Sequence, residues 1–152
     1  MDALLKKLNF AGQDPVVVVN APAEFDPIVL QLSKAATVHT RQGKVKACGF
    51  AIVFATKQHE VDASINALAP ELEGDAILWI AYPKGSSKRY TCDFNRDTGW
   101  TEVGKAGFEP VRQVAIDADW SALRFRRVGF IKTMTRSFAM TEEGKAKARK
   151  SQ

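Results

Sequence analysis

The sequence predicts an α/β fold, in which a mainly parallel sheet carries helices on both faces and ends in a C-terminal antiparallel hairpin. Three runs, Val16–Val19, Cys48–Ala55 and Ala76–Tyr82, are almost continuously apolar, which is typical of strands buried on both faces. Segments with helical periodicity separate these runs, as in the βαβ units of parallel sheets. Two further strand-like segments, Glu109–Ile116 and Ser121–Val128, are joined by a three-residue turn, which predicts the antiparallel hairpin.

The remaining elements follow from apolar spacing and from helix-end residues. Met1–Phe10 places its leucines on one helical face, with two lysines opposite. Phe25–Ala35 repeats apolar residues at helical spacing, and Asp26 is predicted as its N-cap with Pro27 at the first helical position. The other predicted elements are a short strand at Thr37–Thr40, a helix from Lys57 to Leu68 that Thr56 caps, and a helix within Gly99–Gly107 that Gly107 ends.

The chain length fits one domain. Its 152 residues are close to the usual size of a single domain and are enough to bury a core without disulfide or metal support. We predict one α/β domain over residues 1–138 and a flexible basic tail over residues 139–152, because residues 141–152 contain no apolar side chain larger than Ala. The tail is therefore expected to be dispensable for folding.

Charge and cysteine content narrow the class of protein. Residues 1–76 hold 7 Lys/Arg and 9 Asp/Glu, whereas residues 77–152 hold 15 Lys/Arg and 8 Asp/Glu, so the basic excess lies in the second half. The two cysteines, Cys48 and Cys92, form no C-x-x-C pair, which excludes a disulfide framework and a thiolate zinc site and is typical of a reducing compartment. No apolar run reaches the ~18 residues that a membrane span requires, and no signal peptide is evident. We predict a cytoplasmic protein.

The second half resembles the S-adenosylmethionine-dependent methyltransferase fold in a reduced form. A Gly74-Asp75 turn enters a strand that ends in Pro83-Lys84, and a loop, a helix and a hairpin follow. The hairpin has the form G-F-x-x-V…W-x-x-L, with Gly107, Phe108, Val111, Trp120 and Leu123 at the named positions. The resemblance covers the architecture of residues 10–128. It implies a Rossmann-like sheet whose last strand is antiparallel and lies inside the sheet.

The cofactor-binding motif of that family is missing. Its members bind the cofactor on a Gly-rich loop after the first strand, where the backbone must approach the ligand closely. The corresponding loop here, Asn20–Phe25, has no glycine, and Pro22 and Pro27 remove two N–H donors. The second strand ends in His39-Thr40-Arg41, without the acidic residue of the family. The resemblance therefore implies the fold without the cofactor, and we predict no cofactor.

A second resemblance is to a family of small bacterial α/β proteins grouped as a domain of unknown function. Its "VLWxxxPK"-like strand is similar to residues 77–84, ILWIAYPK, and its "DWSxxRxxR"-like strand is similar to residues 119–127, DWSALRFRR. This resemblance implies a bacterial α/β protein and no particular activity.

The loop after the third buried strand is the strongest candidate site. It combines three cations, two hydroxyls and a glycine, which is an anion-receiving composition, although any solvated loop contains the same residue types. Ligands of open α/β sheets bind outside the carboxyl ends of the strands, and Asn20 should open onto the same edge. Cations would supply charge, serines hydrogen bonds and a tyrosine a flat wall. The candidate ligand-binding residues are Asn20, Lys84, Ser86, Ser87, Lys88, Arg89 and Tyr90.

No motif in the sequence names a reaction or a metal site. Cys48 opens a buried strand and is predicted to be a core residue, whereas Cys92 follows several cations that would make it reactive if they lowered its pKa. His39 and His59 have no metal-binding spacing. Asp117 and Asp119 flank the hairpin turn, where Asp favours local backbone hydrogen bonds.

Three interpretations of function remain open. The first is a non-catalytic binding or interaction module. The second is an enzyme or sensor for a small anionic ligand bound at residues 83–90. The third is electrostatic binding of nucleic acid through the basic second half, because residues 124–138 alternate cations with aromatic side chains and the tail adds four more cations.

Overall fold

The computed structural model describes residues 2–43, 46–94 and 98–131. Within these ranges the chain forms four α-helices and six strands, with short 3₁₀ turns at Ala23–Phe25, Ala69–Glu71 and Val128–Phe130. The helices are α1 (Ala3–Lys7), α2 (Asp26–Ala35), α3 (Gln58–Leu68) and α4 (Thr101–Lys105). The strands are β1 (Val16–Val19), β2 (Val38–His39), β3 (Cys48–Phe54), β4 (Leu72–Pro83), β5 (Phe108–Ala115) and β6 (Trp120–Arg127).

The strands form one sheet in the order β2-β1-β3-β4-β6-β5. β1 is parallel to β2 and to β3, and β3 is parallel to β4, whereas β6 is antiparallel to both β4 and β5. The mainly parallel sheet and the C-terminal hairpin are as predicted, with the last strand inside the sheet. The strand order reverses at β1, because the chain moves outward to β2 and then returns to the other side of β1 as β3. Ligand sites of open α/β sheets lie near such reversals.

Two apolar clusters cover the two faces of the sheet. Along β4, Leu78 and Ile80 pack on the α3–α4 face and Trp79 and Ala81 pack on the α1–α2 face, as the alternation of a strand requires. Trp79 is fully buried, and its indole N–H donates to the carbonyl of Leu8 at 2.8 Å, which fixes the end of α1 to the sheet. Burying an apolar side chain of this size contributes roughly 1.5–3 kcal/mol.

Two helices, α2 and α3, begin differently from the sequence predictions, for different reasons. Helix α3 begins at Gln58, and the predicted cap Thr56 lies before it. The N–H of Gln58 donates instead to the carboxylate of Asp93, 35 residues away, at 2.7 Å. Asp26 is the first residue of α2 rather than its N-cap, since the 3₁₀ turn before it leads directly into the helix.

β4 begins earlier than predicted. The turn-like residues Glu73, Gly74 and Asp75 lie inside the strand, where Gly74 adopts φ +58° and the pairing with β3 shifts register. The glycine thus bends a strand instead of ending one. The predicted tail and the end of the basic segment, from Lys132 onward, lie outside the described residues.

Among the residues that the structure describes, no helix is long and apolar enough to cross a membrane.

Candidate functional site

A pocket of about 740 Å³ opens beside the carboxyl end of β4. Its walls come from the end of β4, the loop that follows, the segment before α4, and the facing ends of β5 and β6. Its lining residues are Tyr82, Pro83, Lys84, Gly85, Ser87, Tyr90, Thr91, Cys92, Asp93, Phe94, Thr98, Gln113 and Ser121. The volume lies within the ~300–1,000 Å³ that is usual for small-molecule sites.

Lys84 supplies the cation of this pocket. Its backbone N–H donates to the carbonyl of Asp119 at 2.7 Å, and its own carbonyl accepts from the N–H of Ser87 at 3.0 Å, so the backbone is held on both sides. Within the described ranges its ammonium group makes no hydrogen bond and no ion pair. Lys84 therefore lines the pocket with a fixed backbone and a cationic side chain that these residues do not neutralise.

Ser121 and Gln113 form the polar wall that β5 and β6 contribute. Ser121 is 7% exposed, and its hydroxyl makes no hydrogen bond to any residue in the described part of the chain. It lies directly across from Tyr82 in the β4–β6 pairing. The hydroxyl of Tyr82 accepts from the side-chain amide of Gln113 at 3.2 Å. The hydroxyl of a nearly buried residue that lines a pocket can donate to or accept from a polar ligand.

Glu24 ties the loop after β1 to the loop after β4. Its carboxylate accepts from the hydroxyl of Tyr90 at 2.8 Å, from a guanidinium N–H of Arg89 at 3.2 Å and from the indole N–H of Trp120 at 3.4 Å. Burial opposes ionisation of Glu24, but its own backbone N–H, these side-chain donors and the charge of Arg89 together lower the pKa of the carboxyl. We call Glu24, Arg89, Tyr90 and Trp120 the Glu24 cluster.

An aromatic row continues from the Glu24 cluster across the edge of the sheet. Tyr90 contacts Trp120 with ring centroids 4.9 Å apart, Trp120 contacts Phe54 at 5.2 Å, and Phe54 contacts Phe25 at 4.8 Å. These rings come from β6, β3 and the loops after β1 and β4. Side chains therefore fill the space over the carboxyl ends of β1 and β3.

The structure brings some of the predicted site residues together and separates others. Lys84, Ser87 and Tyr90 line the pocket, and Ser87 also donates to Asp119 at 2.8 Å. Arg89 is turned away, since it contacts the carboxylates of Glu24 at 3.2 Å and of Asp119 at 3.6 Å. Asn20, Ser86 and Lys88 are exposed and are not among the lining residues. Ligand binding by this set stays a prediction.

The pocket also contains residues that the sequence analysis did not include. Gln113 and Ser121 belong to the hairpin, and only the pairing of β6 with the end of β4 brings them to the loop. Ser121 lies at the start of the last strand. In an antiparallel strand inserted into the sheet, this start faces the carboxyl end of the neighbouring strand, and that position could have identified Ser121. Thr91 and Thr98 had no such signal, because they lie in irregular segments.

The titratable groups of the pocket do not form a nucleophile–base pair. Cys92 lines the pocket, but burial, with smaller contributions from the carboxylates of Asp93 and Glu60, raises the pKa of its thiol. The reactive alternative, in which nearby cations lower this pKa, is therefore wrong. Cys48 is buried, as predicted for a core residue. Within the described ranges, no three His, Cys, Asp or Glu side chains are grouped to hold a metal ion.

Charged side chains of the hairpin turn and of β6 bind other groups of the protein. Asp117 accepts from the N–H groups of Asp119 at 2.8 Å and of Trp120 at 2.9 Å, which is the predicted turn role. Arg126 makes two hydrogen bonds to Asp75, at 2.8 and 2.6 Å. Arg127 donates to three backbone carbonyls near the start of β4 and lies over the ring of Phe108. Nucleic-acid binding stays a prediction, with these two cations already engaged.

Comparison by sequence identifies no family for the chain. No protein-family model matches the chain, and no curated protein matches its sequence. The resemblance to a domain of unknown function therefore stays a prediction.

Solved structures of methyltransferases are similar in architecture at low sequence identity. The N-methyltransferase NodS from Bradyrhizobium japonicum WM9 has a TM-score of 0.53 at 10% identity, over 82% of this chain and 92% of that one. A SAM-dependent methyltransferase from Aquifex aeolicus has a TM-score of 0.53 at 16% identity, over 82% and 87%. The ribosomal protein L11 methylase from Lactobacillus delbrueckii subsp. bulgaricus has a TM-score of 0.55 at 8% identity, over 81% and 74%. The chain has a methyltransferase-like Rossmann fold, and similarity at this level shows the fold alone.

Proposed function

We propose that this protein is a non-catalytic binding module that holds a small anionic ligand in the pocket beside the end of β4. The observation that carries the proposal is that Lys84 and Ser121 line the same pocket. The first brings an ammonium group and the second the hydroxyl of a nearly buried residue, and neither group has a partner among the described residues. A carboxylate or a phosphate would satisfy both groups at once.

The negative charge among the described lining residues is bound by a group outside the lining. Asp93 is the one carboxylate in the described lining of the pocket, and it accepts from the N–H of Gln58 at the start of α3. A helix N-terminus stabilises a negative charge, so the charge of Asp93 is directed to the helix. Tyr90 and Phe94 add aromatic side chains to the lining. This combination fits a ligand with an apolar body and one acidic group.

The edge over β1 is less suited to a ligand. The methyltransferases that the chain resembles bind their cofactor on a Gly-rich loop at this position. In this chain the loop carries Glu24, whose carboxylate is bound by Tyr90, Arg89 and Trp120, and the aromatic row fills the space beside it. These contacts support a ligand site beside β4, rather than over β1, on a methyltransferase-like fold.

A binding role is favoured over catalysis by the state of the pocket's own groups. The raised pKa of Cys92 keeps its thiol protonated at neutral pH, and the hydrogen bond to Glu24 raises the pKa of the Tyr90 phenol. Nucleophilic catalysis would need an ionised thiol or phenol, which these two groups do not supply, and the carboxylate of Asp93 already accepts from the N–H of Gln58.

The experiment is a calorimetric titration with small carboxylates and phosphates, using matched lysine variants. Lys84→Gln should weaken binding at least ~10-fold, because it removes a charge-assisted hydrogen bond. Lys88→Gln is the control, since Lys88 lies four residues away in the same loop, carries the same charge and does not line the pocket. Ser121→Ala should also weaken binding. Equal losses from Lys84→Gln and Lys88→Gln, or no binding of any anion by the unmodified protein, would contradict the proposal.

A further inference from the structure

Two arginines on the opposite face of the sheet share one neutral acceptor. Arg112 of β5 and Arg124 of β6 are directly paired across the hairpin. One N–H of each guanidinium approaches the side-chain oxygen of Asn9, at 3.4 Å from Arg112 and 3.3 Å from Arg124. Two positive charges therefore meet over a single amide oxygen.

Among the described residues, the carboxylate whose charge acts on Arg124 is Asp75, and Arg126 already binds it. Within the described residues neither arginine forms an ion pair, and the neighbouring Asp75 is bound by Arg126 through two hydrogen bonds. The Nε of Arg124 is buried and has no acceptor. Burial, followed by the charges of Arg126 and Arg112, lowers the pKa of Arg124. Like charges directly opposite each other on a hairpin are destabilising unless a counter-charge lies between them.

We propose that Arg112, Arg124 and Asn9 form a binding site for a single phosphate group, separate from the pocket at Lys84. Guanidinium groups present planar pairs of N–H donors that match phosphate oxygens, and two of them suit a dianion better than a carboxylate. The amide of Asn9 can turn its NH₂ group toward the same oxygens, which removes its competition for the arginines.

The site fits one phosphate of a small molecule rather than a nucleic-acid backbone. A backbone requires a row of free cations along a surface. The next cations along β6, Arg126 and Arg127, are held by Asp75 and by backbone carbonyls. Among the described residues of β5 and β6, the free guanidinium donors are thus confined to this cross-strand pair.

The site lies on the other face from the pocket. Along β6, Arg124 lies on the same face of the sheet as Trp120 and Ala122, which pack against α1 and α2. The pocket residues Ser121 and Gln113 lie on the other face, together with Leu123. A ligand at one site therefore need not contact the other, and the two proposals can fail separately.

The test measures thermal stability of the full chain in inorganic phosphate against chloride at matched ionic strength, in the Lys84→Gln background so that the pocket does not contribute. A ligand that binds only the folded state raises the melting temperature. Phosphate should stabilise this protein, and Arg112→Gln, at an exposed position, should reduce the apparent affinity at least ~10-fold. Lys105→Gln, an exposed lysine paired with Glu102, is the control and should leave the response unchanged.

A second variant supplies the missing charge within the chain. Asn9 has φ +63°, a conformation that Asp also tolerates, so Asn9→Asp can fold in place. It should raise the melting temperature without phosphate and abolish the response to phosphate. The proposal is overturned if phosphate has no effect, if the response survives Arg112→Gln, or if Asn9→Asp changes neither quantity. It is also overturned if a short oligonucleotide binds through these arginines while inorganic phosphate does not.

Discussion

At the scale of single residues, the separation of Lys84 from Arg89 determines what the loop after β4 can do. Both are cations within six positions of each other, and composition alone treats them as equivalent. In the structure Arg89 contacts two carboxylates, whereas Lys84 lines the pocket without such a partner in the described part of the chain. The carboxylate that makes the difference, Glu24, lies 65 residues away in the sequence from Arg89. No local pattern in the sequence could predict that pairing.

The lowered pKa of Glu24 predicts a pH-dependent contribution to folding. A carboxyl whose pKa is lower in the folded state stabilises the protein above its unfolded pKa, about 4.3, and the contribution is lost as the pH falls toward the folded value. Glu24→Gln should therefore lower stability at pH 7 by about 1 kcal/mol or more, and the difference from the unmodified protein should shrink below about pH 4. Denaturant unfolding at several pH values measures this.

Glu73→Gln is the matched control for that experiment. Glu73 is exposed, and it forms no ion pair with the described residues, so its replacement should leave both the stability at pH 7 and its pH dependence nearly unchanged. An equal effect of the two substitutions would mean that overall charge, rather than the Glu24 cluster, is responsible.

At the scale of elements, the sequence predicts the helices and strands that local hydrophobicity determines. It misplaces the element ends that contacts with distant residues determine. The runs of β1, β3 and β4 are predicted because nearly every residue in them is buried, so burial is visible as unbroken hydrophobicity. The start of α3 is misplaced because the N–H of Gln58 donates to Asp93, 35 residues away, rather than to Thr56. The sequence does not predict the first residues of β4, because a glycine such as Gly74 is typical of a turn.

Asp93 should stabilise helix α3 from outside the helix. Asp93→Ala removes the acceptor of the Gln58 N–H and should cost about 0.5–2 kcal/mol, as loss of an N-terminal cap does. Asp93→Asn keeps a side-chain oxygen at the same place and should retain most of the stability. Thermal unfolding distinguishes the two variants, and an equal loss in both would show that the charge of Asp93, not its hydrogen bond, stabilises the helix.

At the scale of the whole molecule, the fold is methyltransferase-like, and the loop after β1 contains no glycine. The order β2-β1-β3-β4-β6-β5 was predictable in outline, since alternation of strands and helices implies a parallel sheet and the hairpin follows from a short turn. The pocket was predictable only in part. Its Lys84 side follows from the rule that ligands bind at strand ends, but its Ser121 side depends on a pairing between elements that are about 40 residues apart.

We expect the protein not to bind S-adenosylmethionine. The glycine-free loop Asn20–Phe25 contacts the loop after β4 through Glu24, and the rings of Phe25, Phe54 and Trp120 occupy the adjoining space. Calorimetric titration should therefore detect no complex. A dissociation constant of micromolar or tighter would contradict this expectation and would return the edge over β1 to consideration as a ligand site.

The insertion of β6 between β4 and β5 has a consequence for synthesis on the ribosome. The strand that completes the hydrogen bonding of β4 is the last of the six to leave the exit tunnel. Until then β4, which is buried throughout residues 76–83, has one open edge, and partly made chains associate with each other through such edges. Translation that stops before Trp120 thus yields a fragment prone to aggregation, and chaperone demand should be highest in that interval.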